Sequence, residues 1–194
     1  MDVRLSRLGA HSLAISSHKL GGPAGAGALL LDPEVSAIAA LIAGGGQERG
    51  RRGGTPPVHA IAGFAAAAVT TSPGLAALRD RAEAAAIAAG AVLSGARASR
   101  LDNTTCLALP SIRADAQVIA LDLAGIAVSA GAACSSGKVT DSHVLAAMGM
   151  GPLAGQAIRV SLPWNATLDD VDTFAAAYAR MADRLRRALA PRAA

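Results

Sequence analysis

The sequence predicts an α/β fold, and three observations carry that expectation. Short apolar runs alternate with longer alanine-rich stretches of helical character. Glycine or proline clusters separate most of them, as turn chemistry demands. The last 30 residues form the clearest amphipathic helix of the chain, with its start written as Thr167-Leu168-Asp169-Asp170.

Taken in order, Ser12-Leu13-Ala14-Ile15-Ser16 has the length and apolar content of a short buried strand. A glycine-rich loop then leads to a second apolar strand, Ala28-Leu29-Leu30-Leu31, closed by Asp32-Pro33. The alanine-containing segment Glu34 to Ile42 predicts a helix. After the loop Gly44 to Thr55, Pro56-Pro57 opens another helix reaching about Thr71, because proline is tolerated in a first helical turn. Ser72-Pro73-Gly74 is the predicted domain boundary. It separates residues 1–74 from residues 75–194.

Leu75 to Ala89 predicts a long helix stopping at Gly90, a common helix terminator. A strand at Cys106-Leu107-Ala108-Leu109, a helix from Asp115 to Ala124 and a strand at Ile126-Ala127-Val128-Ser129 follow. A loop of small residues from Ala130 to Asp141 leads to a short helix, Ser142 to Met148, and then to a strand at 157–162. In the final helix, Val171, Phe174, Tyr178, Met181 and Leu185 recur three or four apart and mark a buried face. That stripe is core and no site.

Composition narrows the function. The 194 residues are 52% hydrophobic, mostly alanine, and 16% charged, which suits a packed protein over a disordered one. Net charge is +4, with basic clusters at Arg49/Arg51/Arg52 and Arg184/Arg186/Arg187. No aromatic residue is interleaved with either cluster, which disfavours nucleic-acid binding. The most apolar stretch, 28–43, is interrupted by Asp32, Pro33 and Glu34, and a bilayer span needs ~20 apolar residues. No signal peptide is evident, so a cytoplasmic location without membrane attachment is the expectation. Two cysteines without a C-x-x-C spacing exclude a disulfide framework and a structural zinc site.

Three loops carry chemistry. Lys19 follows a strand end, with Ser16 and His18 beside it and glycines behind. A free lysine amine has a pKa of ~10.4 and is a poor nucleophile until desolvated or held as a Schiff base. Hydroxyl, imidazole and backbone amides at such a turn suit a phosphate, although a surface turn lysine explains the same spacing. The segment Gly131 to Val139 fails as a P-loop, having one residue too many between its glycines and valine where a hydroxyl should hold magnesium. Cys134 lies among Ala, Ser and Gly, where a thiol of pKa ~8.5 stays accessible as a nucleophile. Cys106 has leucine neighbours and is expected to be a small structural hydrophobe.

Together these segments resemble a known family. Ser16-Ser17-His18-Lys19 with Gly22-Pro23-x-Gly25-x-Gly27 is similar to the cofactor-lysine segment of cysteine desulfurases. Gly44-Gly45-Gly46-Gln47-Glu48-Arg49-Gly50-x-Arg52-x-Gly54-Thr55 resembles their next signature. Ser129-x-Gly131-x-Ala133-Cys134-Ser135-Ser136-Gly137, followed by Ser142-His143-Val144-Leu145, resembles the catalytic-cysteine loop of the NifS/IscS type. Ile158-Arg159-Val160-Ser161-Leu162 resembles the substrate-arginine strand. The resemblance covers nearly the whole chain.

It implies a pyridoxal-phosphate-dependent class-V aminotransferase of fold type I. Residues 1–74 would be the tail of the large cofactor-binding domain, and 75–194 a small α+β C-terminal domain. Lys19 would carry the pyridoxal phosphate and move the Cα proton. Ser16 and His18 would bind its phosphate, and Thr55 the phosphate of the other subunit of a homodimer. Arg159 would hold the carboxylate of L-cysteine, a task suited to two parallel guanidinium donors. Cys134 would take the sulfur as a persulfide, leave L-alanine, and pass the sulfur to an iron–sulfur scaffold protein, where it would also touch a nascent cluster as a transient metal ligand. His143 is expected to shape the helix after the loop, while His11, His59 and Trp164 have ordinary structural readings.

The family's chain is roughly double this one. Its stacking histidine, the aspartate at the pyridine nitrogen and further phosphate donors therefore fall outside these residues. Departures inside them are Ala130 and Ala132 where hydroxyls are common, Gln47 where histidine is frequent, and Pro163 where glycine follows the arginine. Three readings remain open: a desulfurase completed by an N-terminal half, another aminotransferase-like enzyme such as a selenocysteine lyase, and a non-catalytic remnant or partner-binding small domain.

Overall fold

The computed structural model describes residues 5–35, 38–70, 74–131 and 141–190. The chain divides into two compact units, residues 2–71 and 72–194.

Unit 2–71 begins with one helical turn, α1 (Leu5–Leu8), and an antiparallel ribbon of β1 (Ser12–Ser16) and β2 (Gly27–Leu31). A 3-10 turn, Ser17–Lys19, follows β1 directly. Helix α2 (Val58–Val69) closes the unit and packs against that turn. Glycine makes the approach close. A Cβ on Gly63 would lie 2.7 Å from the Pro23 ring, and one on Gly22 would collide with Ser17 Oγ.

Two sequence expectations fail in this unit. Strands form at 12–16 and 27–31, yet they are not buried: Leu29 is 55% exposed and Leu30 41%. A two-stranded ribbon has no second layer of its own to bury such side chains. The helix expected over 34–42 is also missing, since residues 38–46 are irregular and Leu41 is fully exposed. Alanine favours a helix only weakly without an apolar face to dock, and Gly44, Gly45 and Gly46 all take left-handed φ just beyond. The Ile42 carbonyl instead accepts from Gly53 N at 2.6 Å, joining the two ends of the glycine loop.

Unit 72–194 is built on a four-stranded antiparallel sheet of order β3-β4-β6-β5. The strands are β3 (Val92–Leu93), β4 (Thr104–Ala108), β5 (Ser129–Ala130) and β6 (Ala157–Ser161). Helices α3 (Leu75–Ala88), α4 (Ala114–Asp122) and α6 (Leu168–Leu189) pack together with one face. Its core gathers Leu107, Leu121, Ile158, Val171, Phe174 and Tyr178. Burying one such side chain contributes roughly 1.5–3 kcal/mol, and the concentration here makes this unit the stable one. The opposite face receives the short helix α5 (His143–Ala147), where Ala108, Leu145, Ala154 and Ala157 form a second, smaller cluster.

Polar groups reinforce this frame. Glu83, nearly buried on α3, pairs with Arg100 and with Arg79 one turn before it. Buried Gln117 donates from Nε2 to the carbonyls of Ile112 at 3.0 Å and Gln156 at 2.7 Å, tying α4 to the approach of β6. The capping box is realised: Thr167 Oγ1 accepts from Asp170 N at 3.2 Å, and Thr167 N donates to Asp170 Oδ2 at 2.8 Å. The Thr167 hydroxyl, donating to Asp170 Oδ2 at 2.7 Å, and then the Thr167 backbone N–H hold the Asp170 carboxyl below its ordinary range. Among the described residues no helix is long and apolar enough to cross a membrane.

Candidate functional site

The lysine turn occupies the point where β1 ends. A strand residue, Ser16, faces forward into a tight 3-10 turn, so Ser16, His18 and Lys19 come from four consecutive positions. Ser16 Oγ and His18 Nδ1 lie 2.8 Å apart, and His18 and Lys19 are exposed. Ser17 points the other way. It is fully buried with an unpartnered Oγ, and its carbonyl accepts from Leu20 N and Gly22 N. The turn is therefore anchored by the residue that carries no predicted role, while His18 and Lys19 are left exposed and Ser16 half-buried.

The second loop of the same unit delivers Thr55, which is exposed just before Pro56-Pro57. Its geometry comes from the signature residues around it. Gln47 Oε1 accepts from Gly54 N at 3.2 Å, and Arg52 Nη1 donates to the Gly54 carbonyl at 2.7 Å. Glu48 and Arg49 both adopt left-handed φ of 50° and 58°. Gly53 is required by proximity, since a Cβ there would lie 2.7 Å from the Gly44 carbonyl. Gln47 and Arg52 thus act as braces for the Thr55 loop.

In unit 72–194, Arg159 sits at the centre of β6 and is exposed, on the sheet face opposite the main core. Among the described residues it forms no ion pair, although Asp141 lines the same cavity. Strand register surrounds it: Cys106 of β4 stands opposite on one side and Ser129 of β5 on the other. A cavity of about 570 Å³ opens on this face, lined among others by Ser94, Cys106, His143 and Arg159. His143 is the first residue of α5, whose N-cap is Ser142, so it belongs both to the helix start and to the cavity wall. Cys134, assigned the nucleophilic and transient metal-ligand roles from sequence, lies outside the described residues.

The cavity also recruits a residue that sequence reading set aside. Cys106 is half-buried and free, and packs as the expected small hydrophobe, though against the smaller cluster of Ala108, Leu145, Ala154 and Ala157 on the face of Arg159 and not in the leucine core to which Leu107 turns. Burial pushes its thiol above the ordinary range, while the Ser94 hydroxyl and the Arg159 guanidinium pull it back. Period-two alternation held the missed signal, because a cysteine next to a core leucine on a strand must face the other side.

The class-V aminotransferase family profile matches residues 1–174. The chain belongs to that family. Within it, the chain is 40% identical over 183 residues to a cysteine desulfurase of Bradyrhizobium diazoefficiens, covering 90% of this chain and 46% of the relative. A cysteine desulfurase of Cereibacter sphaeroides is 40% identical over 186 residues, covering 92% and 48%. A solved NifS-like protein from Rickettsia africae superposes with a TM-score of 0.80 at 32% identity, over 94% of this chain and 50% of that one. SspA in complex with cysteine gives 0.60 at 32% identity, over 84% and 46%. The chain therefore spans about half the length of the relatives it matches, and its NifS/IscS-type affinity and α/β fold stand.

Proposed function

We propose that this chain carries the lysine, sulfur-acceptor and carboxylate-binding parts of a cysteine desulfurase that releases L-alanine from L-cysteine and retains the sulfur. The guanidinium of Arg159, which forms no ion pair among the described residues and lines a cavity, is the observation that carries the reading. An uncompensated arginine in such a place calls for an anion, and cysteine brings a carboxylate.

The residues of the lysine turn fit pyridoxal phosphate. Ser16 and His18 supply a hydroxyl and an imidazole for a phosphate dianion, and Lys19 supplies the amine, all on one anchored turn. Thr55 adds a braced hydroxyl for the phosphate of a second subunit in a homodimer. When bound, the cofactor supplies the electron sink that makes the substrate Cα–H acidic. Arg159 then fixes the substrate by its carboxylate, Lys19 takes and returns the Cα proton, and Cys134 receives the sulfur. Transfer of that sulfur to an iron–sulfur scaffold, with Cys134 touching the nascent cluster, completes the proposal. In this reading, residues 1–74 belong to the cofactor-binding domain and 75–194 to the small domain.

The test supplies what the chain's length leaves to its relatives. Co-expression with the part of the Bradyrhizobium relative that this chain does not match should give alanine and sulfide from L-cysteine and reductant. Lys19→Ala and Cys134→Ala should each remove sulfide formation. Output that persists in the Cys134 variant would overturn the assignment of the sulfur acceptor.

A further inference from the structure

Two arginines line the cavity of unit 72–194, and their surroundings differ. Arg159, on β6, forms no ion pair among the described residues. Arg100, in the loop between β3 and β4, turns its whole fork to one carboxylate. Its Nη1 donates to Glu83 Oε1, and its Nη2 to Glu83 Oε2 at 3.3 Å. Glu83 lies on α3 and is only 6% exposed, and a buried carboxylate holds its partner firmly because leaving it unpaired is costly. Asp80, the other carboxylate acting on Arg100, already accepts from Arg79 Nε at 3.0 Å and Nη2 at 2.7 Å. Arg79 Nη1 donates in turn to the carbonyl of Leu101, another residue of the cavity wall, at 2.8 Å. One cavity thus holds a masked guanidinium and an open one, and α3 supplies the mask.

We propose that Glu83 is a positioning residue that sets the ligand class of this cavity: by withholding Arg100 it leaves Arg159 as the one arginine open to a carboxylate, so monocarboxylates are taken in preference to dicarboxylates. The inference rests on the reading of Arg159 as the carboxylate site and adds what decides between ligands there. L-cysteine carries one carboxylate, whereas acidic amino acids carry two. With both guanidiniums free, a dicarboxylate would gain a second charge-assisted pair that L-cysteine cannot make. Glu83 denies it that pair, which is how a site rejects a ligand of richer charge. Asp141 on the same wall works in the same direction, since it repels a second carboxylate brought beside it. Its contribution does not pass through Arg100, so variants separate the two. In Glu83→Gln, Arg79 keeps Asp80 and the Leu101 carbonyl, and the guanidinium released is that of Arg100.

The isotope-labelled full chain is titrated with butyrate and with succinate, glutarate and adipate at constant ionic strength. The pH is held at about 8, where imidazoles ordinarily carry no charge. Amide and arginine Nε–H chemical shifts give each affinity, and the affinity of the tightest dicarboxylate relative to butyrate is the readout. The native chain should bind butyrate at least as tightly as any of the three. Glu83→Gln should raise the dicarboxylate-to-butyrate ratio roughly fivefold, as one further partly exposed ion pair would. Combining it with Arg100→Gln should return the ratio to its native value. A role confined to stability would weaken every ligand alike and leave the ratio fixed, and that result overturns the proposal. Arg100→Gln alone should not move the ratio, a measurement that decides the matter should Glu83→Gln not fold. A ratio that falls in Arg100→Gln shows Arg100 already engaged by ligand and overturns the proposal. Butyrate binding unchanged in Arg159→Gln would overturn the carboxylate reading on which the inference stands. Binding lost in that variant, with no dicarboxylate gain in Glu83→Gln, overturns this inference alone.

Discussion

The two units of this chain spend their apolar residues differently. Among the described residues of 2–71, only Ala60 and Phe64 are buried apolar side chains, whereas Leu29 and Leu30 of β2 face solvent. In 72–194, three helices and a four-stranded sheet enclose a continuous core around Tyr178 and Leu107. The lysine, the phosphate-type donors and Thr55 stand on the thin unit, and Arg159 on the thick one. The contrast shows that residues assigned to one reaction can rest on supports of very different strength, so stability and chemistry have to be probed separately in each unit.

Hydrogen exchange should show the largest difference. Amides of β4 and β6 should exchange at least on the order of a hundredfold more slowly than those of β1 and β2, because the ribbon has few buried contacts to hold it closed. Comparable protection in both would break the contrast. Next in size is the core itself: Leu121→Ala should cost about 3 kcal/mol in denaturant unfolding of unit 72–194 and leave exchange in the ribbon unchanged. Glu83→Gln should cost roughly 3 kcal/mol in the same unit, since Arg79 and Arg100 would lose the carboxylate they share.

Gly63→Ala sharpens the comparison from the other side. Its added methyl meets the Pro23 ring, so roughly 1–3 kcal/mol should be lost from unit 2–71 alone, read as faster exchange in α2 and the lysine turn. The smallest effect concerns the cap of α6. The folded pKa of Asp170 is depressed, so its stabilising contribution is present above the unfolded carboxylate value of ~3.9 and fades as pH falls through the lower folded value. Asp170→Asn should remove that contribution at neutral pH and flatten this part of the acid limb in a pH series of thermal unfolding.

Much of the architecture could be read in advance where a local signal had a tertiary partner. The α6 stripe became core because a sheet face waited for it, and its cap formed because Thr167 and Asp170 need only each other. The helix expected at 34–42 had alanine but no docking surface, and its described residues 38–42 are irregular. Strand β3, two residues long, has no periodicity to detect and owes its place to pairing with β4. The positions proposed for the site, Lys19, Thr55 and Arg159, were read from signatures. The cavity was not legible, because the row joining Cys106, Arg159 and Ser129 depends on registers between strands far apart in sequence.

The functional account meets its most direct test in where the substrate sulfur goes. The co-expressed pair is given L-cysteine without reductant and digested with trypsin, and the fragments Leu101–Arg113 and Ala114–Lys138 are weighed. The account expects one added sulfur atom on the Cys134 fragment and none on it when Lys19 is replaced by alanine. Sulfur addition at Cys134 that survives Lys19→Ala, or a Cys134 fragment left unchanged while alanine accumulates, would contradict it.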